Sequence, residues 1–231
     1  MPKQKVKVKI TKKKINTKNI IIFLVITIML YFATTYLIKL PITNIYITGN
    51  NIVSDKEIIS LAHLDNYPPF IKTYFRNLKK EIKQNEYIKE VKIKRKFFGK
   101  IYLEIEEYTP LCIYQDKLIL SSSKQVPNTY KIDYVPYLIN NPSDIYNKFI
   151  EKFSKINKDT LVKISHFEYV PNEVDKERFL LYMVDKNYVY ITLDKIEKIN
   201  KYNSIIQELE GKKGIIYLDS GDYVEIKGWH S

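Results

Sequence analysis

The sequence predicts an α+β chain in which a single transmembrane helix precedes a β-α-α-β-β unit and a second, mixed β region with helices. Three observations carry this expectation. Residues 19–38 hold no charged side chain, short runs alternate apolar and polar residues between turn residues, and apolar stripes at helical spacing interrupt those runs. The expected divisions are a basic tail over 1–19, the apolar helix over 20–38, a first folded unit over 40–110, a β region over 111–228 and a short end at 229–231.

The segment Ile20–Ile38 is rich in Ile, Leu, Val and Phe and is long enough, at helical rise, to cross the hydrocarbon of a bilayer. Eight lysines between Lys3 and Lys18 precede it without a single acid. That asymmetry holds the N-terminus in the cytoplasm and sends everything after Lys39 outside, a single-pass type II topology. A cleaved signal peptide would have a shorter apolar stretch and a small-x-small pattern, which Thr34-Thr35-Tyr36-Leu37 does not offer. The one cysteine, Cys112, lies far from the apolar segment, so no lipid anchor is expected.

The formal charge of +12 reflects topology more than a binding surface. Of the 38 basic residues eight are in the tail, which leaves thirty against 26 acids in the rest of the chain. The tail suits anionic lipid, and no nucleic-acid partner is expected. A lone cysteine forms no internal disulfide, so the exported part relies on its core, and Leu111-Cys112-Ile113 reads as buried apolar packing.

Ile42–Ile47 is a strand rich in β-branched residues, and Gly49-Asn50-Asn51 turns the chain. Ser54 and Glu57 have the spacing of a capping box, which starts a helix at Asp55 that ends before Asp65. After Pro68-Pro69, Tyr74, Phe75, Leu78 and Ile82 mark a second helix stopping near Asn85. Val91 and Ile93, then Ile101, Leu103 and Ile105, form an antiparallel hairpin around Gly99. Lys92 and Lys94 are expected opposite Glu104 and Glu106.

The second region reads as strands near 111–114 and 117–120, a proline-punctuated stretch over 126–142, and a helix over 145–156. Strands follow at 163–169, 179–184 and 188–193, with Asp185-Lys186-Asn187 as a turn. A helix from Lys195 to about Leu209 ends before Gly211, and strands at 214–218 and 223–227 close the order.

Chemistry-bearing constellations are sparse. His63, His166 and His230 lack Cys or carboxylate neighbours at ligand spacing, and there is no Gly-x-Ser-x-Gly or phosphate-cradling glycine loop. Glu106 and Glu107 alternate to opposite faces of a strand and cannot act on one bond. No catalytic, metal or cofactor residue is expected, and no cofactor. The remaining mode is strand addition at an exposed sheet edge, with the final strand as candidate because little sequence follows to cover it.

These residues resemble the bacterial cell-division family DivIB/FtsQ along essentially the whole chain. Ile45–Asn50 with Ser54, Glu57 and Ile58, then Ile88–Arg95, Ile101–Glu107 and Pro110, are similar to its POTRA domain. Tyr182–Val189 is similar to the family's Tyr-Met-x-Asp-Gly-Asn-x-Val, and Lys201-Tyr202 and Gly214–Gly221 follow in order, favouring the Gram-positive branch. Lys186 replaces the usual glycine of that turn, and Phe97-Phe98-Gly99 stands where many members have proline.

The resemblance implies a non-enzymatic scaffold enriched at the division septum. Its partners would be FtsL-type and DivIC/FtsB-type bitopic proteins, with septal peptidoglycan synthases in reach. By position, Tyr217, Leu218, Ser220, Gly221 and Tyr223 would line the partner contact. The alternative is a POTRA-containing membrane-anchored factor for protein export or assembly, which would require a β-barrel or more membrane-spanning segments.

Overall fold

The computed structural model describes residues 17–73, 75–96 and 99–226. The expected tail up to residue 16, Tyr74, the Phe97-Phe98 pair, Lys227, His230 and the short end at 229–231 lie outside the described residues.

Helix α1 (Thr17–Lys39) has 23 residues, none of them buried, a length of about 35 Å at helical rise. Lys18 and Lys39 are its only charged residues. The hydroxyls of Thr27, Thr34 and Thr35 donate to the carbonyls of Phe23, Tyr31 and Phe32 at 2.8–2.9 Å. Each is thereby satisfied within its own helix without water.

The expected strand-helix-helix-strand-strand order follows as β1 (Asn44–Thr48), α2 (Asp55–Leu61), α3 (Phe75–Ile82), β2 (Ile88–Lys96) and β3 (Lys100–Glu107). The sheet order is β1-β3-β2, with β1 parallel and β2 antiparallel to β3. Ile58, Ala62, Leu78 and Ile82 from the helices are buried with Val91, Ile101, Leu103 and Ile105 from the strands. Helices of seven and eight residues would not persist alone. Burial of each Ile or Leu contributes about 1.5–3 kcal/mol, which holds them in place.

Two local expectations are corrected. Ser54 caps α2 by accepting from the Glu57 N–H at 3.3 Å, but the Glu57 carboxylate does not reach back. It accepts instead from Asn85 at 2.9 Å and from the Tyr130 hydroxyl at 2.6 Å. In the hairpin, Lys92 lies opposite Glu104, but Lys94 faces Tyr102 and Glu106 faces Glu90. The reason is the turn: Lys96 pairs with Lys100 around a three-residue loop whose Gly99 has φ +72, and that loop sets the register. The ion pairs form on diagonals, Lys94 to Glu104 at 2.5 Å and Lys89 to Glu106 at 2.7 Å. All four side chains are well exposed, so these pairs contribute little.

The Glu107 carboxylate accepts from three successive backbone N–H groups, Asn51 at 2.9 Å, Ile52 at 2.9 Å and Val53 at 2.8 Å. This pins the β1–α2 loop to the end of β3. Gly49 makes the loop possible: its φ is +86, and a Cβ there would fall 2.2 Å from the Ile105 carbonyl oxygen.

The second region holds β4 (Pro110–Tyr114), β5 (Lys117–Leu120), β6 (Gln125–Pro127), β7 (Tyr137–Leu138), α4 (Tyr146–Phe153), α5 (Lys158–Leu161) and β8 (Ile164–Tyr169). It continues with β9 (Arg178–Met183), β10 (Tyr188–Thr192), a 3-10 run Leu193–Lys201, α6 (Tyr202–Glu208), β11 (Gly214–Tyr217) and β12 (Tyr223–Ile226). Nine strands form one sheet in the order β12-β11-β10-β9-β8-β7-β4-β5-β6. Phe149 and Phe153 of α4 pack on Phe167 and Phe179 with ring centroids 4.4–5.5 Å apart, covering one face. Cys112 is fully buried as expected, and burial pushes its thiol pKa well up.

The helix expected over 145–156 is shorter, and the one expected from Lys195 begins as a 3-10 run. Leu193, Ile196, Ile199 and Tyr202 recur at a strict spacing of three and all are buried. A helix with three residues per turn aligns them on one face, whereas an α-helix would fan them out. The strands within 125–138 and the short α5 were not expected.

At the junction, Tyr87 donates to the Pro127 carbonyl at 2.7 Å, and its ring meets Tyr130 edge-on at 4.8 Å. The Tyr130 hydroxyl, bonded to Glu57 and Asn85, completes the contact.

Replacing Glu107 with Ala strands three backbone donors and should lower the unfolding free energy by about 1–3 kcal/mol. Glu106→Ala, which loses only an exposed ion pair, should change it by less than about 0.5 kcal/mol. Urea titration of the detergent-solubilised chain separates the two. Lys186 has φ +72, a left-handed conformation that costs a side chain about 1 kcal/mol. Lys186→Gly should therefore raise stability by about 0.5–1 kcal/mol in the same titration.

Candidate partner-binding edge

The edge of the nine-stranded sheet is built by β11 and β12, and its position depends on a parallel pairing. β11 runs parallel to β10, with Tyr188, Val189 and Tyr190 beside Ile215, Ile216 and Tyr217. The chain therefore crosses over between them through the 3-10 run and α6. Asn187, only 1% exposed, closes this crossover. Its side-chain oxygen accepts from the Gly214 N–H at 2.9 Å and its amide donates to the Tyr202 hydroxyl at 3.0 Å. Tyr202 in turn donates to Asp185 at 2.8 Å. Burial, with Asp185 beside it, holds the Tyr202 pKa far above the usual phenol value, so it stays a donor. Gly214 is required here, since a Cβ would lie 2.3 Å from the Glu225 carbonyl oxygen.

The orientation of the edge follows from alternation. The Leu218 N–H donates to the Tyr190 carbonyl at 2.8 Å, so Ile216 also points its backbone groups toward β10, and Ile215 and Tyr217 point theirs toward β12. Their partners in the antiparallel register are Glu225 and Tyr223. Val224 and Ile226 therefore direct their N–H and C=O groups away from the sheet. β12 is the last strand in the sheet order among the described residues, and this row of groups is its open edge.

Side chains extend the same surface. Arg178 lies 3.7 Å from the centroid of the Tyr190 ring, Tyr190 stacks on Tyr217 at 5.4 Å, and Tyr217 stacks on Tyr223 at 4.6 Å. Four adjacent strands thus carry one continuous row of planar groups on the face opposite α4. Tyr217 donates to Glu225 at 3.2 Å; burial, then Glu225, raises its pKa.

The β11–β12 turn is fastened from below. Arg178 Nε donates to Asp219 at 2.7 Å in a pair with both side chains less than one-fifth exposed. Lys195 Nζ donates to the Asp219 carbonyl, and Lys198 pairs with Asp222 at 2.6 Å. Between α6 and β12 runs a cleft of 330 Å³ bordered by Ile205, Glu208, Ile216 and Val224.

Of the five residues expected to line the contact, four reach the surface. Tyr223 is 51% exposed, Tyr217 is half-buried between two rings, and Ser220 and Gly221 form the exposed turn. Leu218 does not: it is 4% exposed within the core, because the residue after Tyr217 alternates to the helix-covered face. It supports the hairpin from beneath. The sequence reading missed the outward groups of Val224 and Ile226, which strand alternation alone specifies once β11 is paired. It also missed Asn187, Asp185 and Tyr202 as the anchor.

Residues 40–108 match the family described as POTRA domain, FtsQ-type. The cell division protein DivIB of Bacillus subtilis is 28% identical over 175 residues, covering 72% of this chain and 65% of that protein. DivIB of Brevibacillus brevis is 26% identical over 182 residues, 74% of this chain and 67% of that protein. The chain thus spans about two thirds of the length of these curated relatives. A solved structure of the major extracytoplasmic domain of DivIB from Geobacillus stearothermophilus aligns with 46% of this chain and 96% of that one, at 16% identity and a TM-score of 0.38. Residues 40–108 thus form a POTRA domain of the FtsQ type, and over about three quarters of its length the chain is similar to the DivIB cell-division proteins.

Proposed function

We propose that this protein is a non-enzymatic scaffold of the division septum, anchored by α1 and bound to FtsL-type and DivIC/FtsB-type partners through its β12 edge. In this reading α1 crosses the membrane with the lysine-rich tail in the cytoplasm and both folded units outside. Between residues 39 and 54 the only charged side chain is Lys39, against eight lysines before residue 19, and that imbalance supports the orientation.

The observation that carries the reading is the open β12 edge, with the Val224 and Ile226 backbone groups directed outward beside the Tyr190-Tyr217-Tyr223 row. A partner strand laid along it gains main-chain hydrogen bonds for affinity. Its side chains then alternate between the tyrosine row and the Ile205–Val224 cleft, which supplies selectivity. The Arg178–Asp219 pair and the Asn187 anchor hold the edge in place before binding, which lowers the ordering cost of association.

The membrane, septal location and partners are tested separately. A fluorescent protein fused to the N-terminus should concentrate at midcell in dividing bacteria; a uniform peripheral signal would exclude septal recruitment. Val224→Pro removes an outward N–H that no strand of this sheet uses, a change edge strands tolerate. It should weaken binding to a DivIC–FtsL complex by at least about tenfold, the equivalent of ~1.4 kcal/mol, with little change in the thermal melt. Unchanged affinity would mean that the partner docks elsewhere.

A further inference from the structure

The end of the POTRA domain next to α1 combines exposed apolar side chains with a set of cations. Three separate segments meet there. The Leu40 carbonyl accepts from the Phe70 N–H at 2.8 Å, Ile42 donates to the Pro68 carbonyl at 3.0 Å, and Thr43 donates to the Gly99 carbonyl at 2.8 Å. The loop 67–73 and the β2–β3 turn are thus bonded to the first residues after α1. Arg95 fastens the two to each other, with its guanidinium 5.0 Å from the Phe70 ring centroid and donating to the Thr73 carbonyl.

The segments 39–48, 67–80 and 91–100 contain no Asp or Glu at all. Lys39, Lys72, Arg76 and Lys96 are exposed there and Lys100 is half-buried, and among the described residues none of them forms an ion pair. Acids from outside these segments meet them at Lys79, paired with Glu90, and at Lys94, paired with Glu104, while Glu107 is bonded to the β1–α2 loop. Among the cations, Tyr67 is 51% and Ile71 52% exposed. An aromatic and an aliphatic side chain rimmed by lysine and arginine are the composition of a protein surface seated at a membrane interface.

We propose that this end of the domain docks on the anionic head groups of the leaflet from which α1 emerges. Tyr67 and Ile71 enter the boundary between head groups and acyl chains, and Lys72, Lys96 and Lys100 lie over the phosphates. The inference rests on the reading that α1 spans the membrane, because only then are residues 40–43 held within reach of the head groups. Docking removes the freedom of the folded units to pivot about Leu40 and gives the β12 edge a fixed relation to the bilayer.

The test uses the full chain in lipid nanodiscs of phosphatidylcholine alone or mixed with phosphatidylglycerol, read by amide hydrogen exchange. Residues 67–73 and 99–100 should exchange about tenfold more slowly in the phosphatidylglycerol discs, since each cation near an anionic surface adds to the attraction. The gain should vanish in high salt and in the Lys72→Glu, Lys96→Glu, Lys100→Glu triple variant, while exchange in β1 and β3 reports that the domain stays folded. Equal exchange of the unaltered chain in both discs overturns the proposal, whatever the variant does. Protection induced in phosphatidylcholine discs by soluble polyphosphate, with none from phosphatidylglycerol, also overturns it and assigns the patch to a soluble polyanion. The α1 amides separate the two readings: if they exchange as in water, the membrane span fails and docking with it. If they are protected while 67–73 ignores the lipid, docking alone fails.

Discussion

The buried amide of Asn187 is the interaction on which the open β12 edge depends. A parallel pair such as β10 and β11 cannot be closed by a tight turn, so the chain has to leave the sheet, cross a face and return in register. Asn187 sits just before β10 begins, Gly214 where the chain returns beside it, and Tyr202 on the crossing segment. One side chain bonds both other points. Its donor and acceptor are both satisfied, which keeps a 1% exposed amide from being a liability. Everything beyond Gly214, including β12, inherits its position from this contact.

The sheet is asymmetric for the same reason. The crossing places the 3-10 run and α6 on the same side as α4, so one face carries phenylalanine and aliphatic packing and the other is left to tyrosine. Tyrosine serves an uncovered face well, because the rings shield one another by stacking while each hydroxyl remains available to water or a carboxylate. Tyr182 shows this, donating to Glu168 at 2.5 Å, a bond that pushes its pKa up to about 12. The Tyr182 hydroxyl is thereby held as a donor, and burial with Glu225 raises the Tyr217 pKa on the same face.

Much of this was legible in the sequence, and the failures share a cause. The strand-helix-helix-strand-strand order of the first unit, the start of α2 at Asp55 and the strands from β8 to β12 were readable because alternation and helical spacing are local properties. Lys92 does lie opposite Glu104, but the partners of Lys94 and Glu106 were missed because they depend on where the chain turns between β2 and β3. The 3-10 run is visible in the spacing of Leu193, Ile196, Ile199 and Tyr202, yet Leu193 was assigned to the preceding strand and the segment from Lys195 was read as an α-helix, the far commoner element. Strands β6 and β7, three and two residues long, are defined by their neighbours rather than by their own side chains. Leu218 was placed at the contact by resemblance, although simple alternation after Tyr217 turns it inward.

An edge that offers only backbone N–H and C=O groups asks little of its own side chains. Relatives at 26–28% identity share few side chains, but strand addition asks only that the edge be straight, open and held in register. The demand on side chains is greatest at the anchor, where Asn187 bonds both Tyr202 and Gly214. It is least along β12 itself, where any residue supplies an N–H and a carbonyl. The turn at Lys186 fits this logic: a lysine in a left-handed conformation costs stability without moving Asn187, whose N–H still reaches Asp185 at 3.1 Å. The fold thus accommodates a strained turn at Lys186 while the neighbouring buried amide keeps both partners that position β11 and, through it, β12.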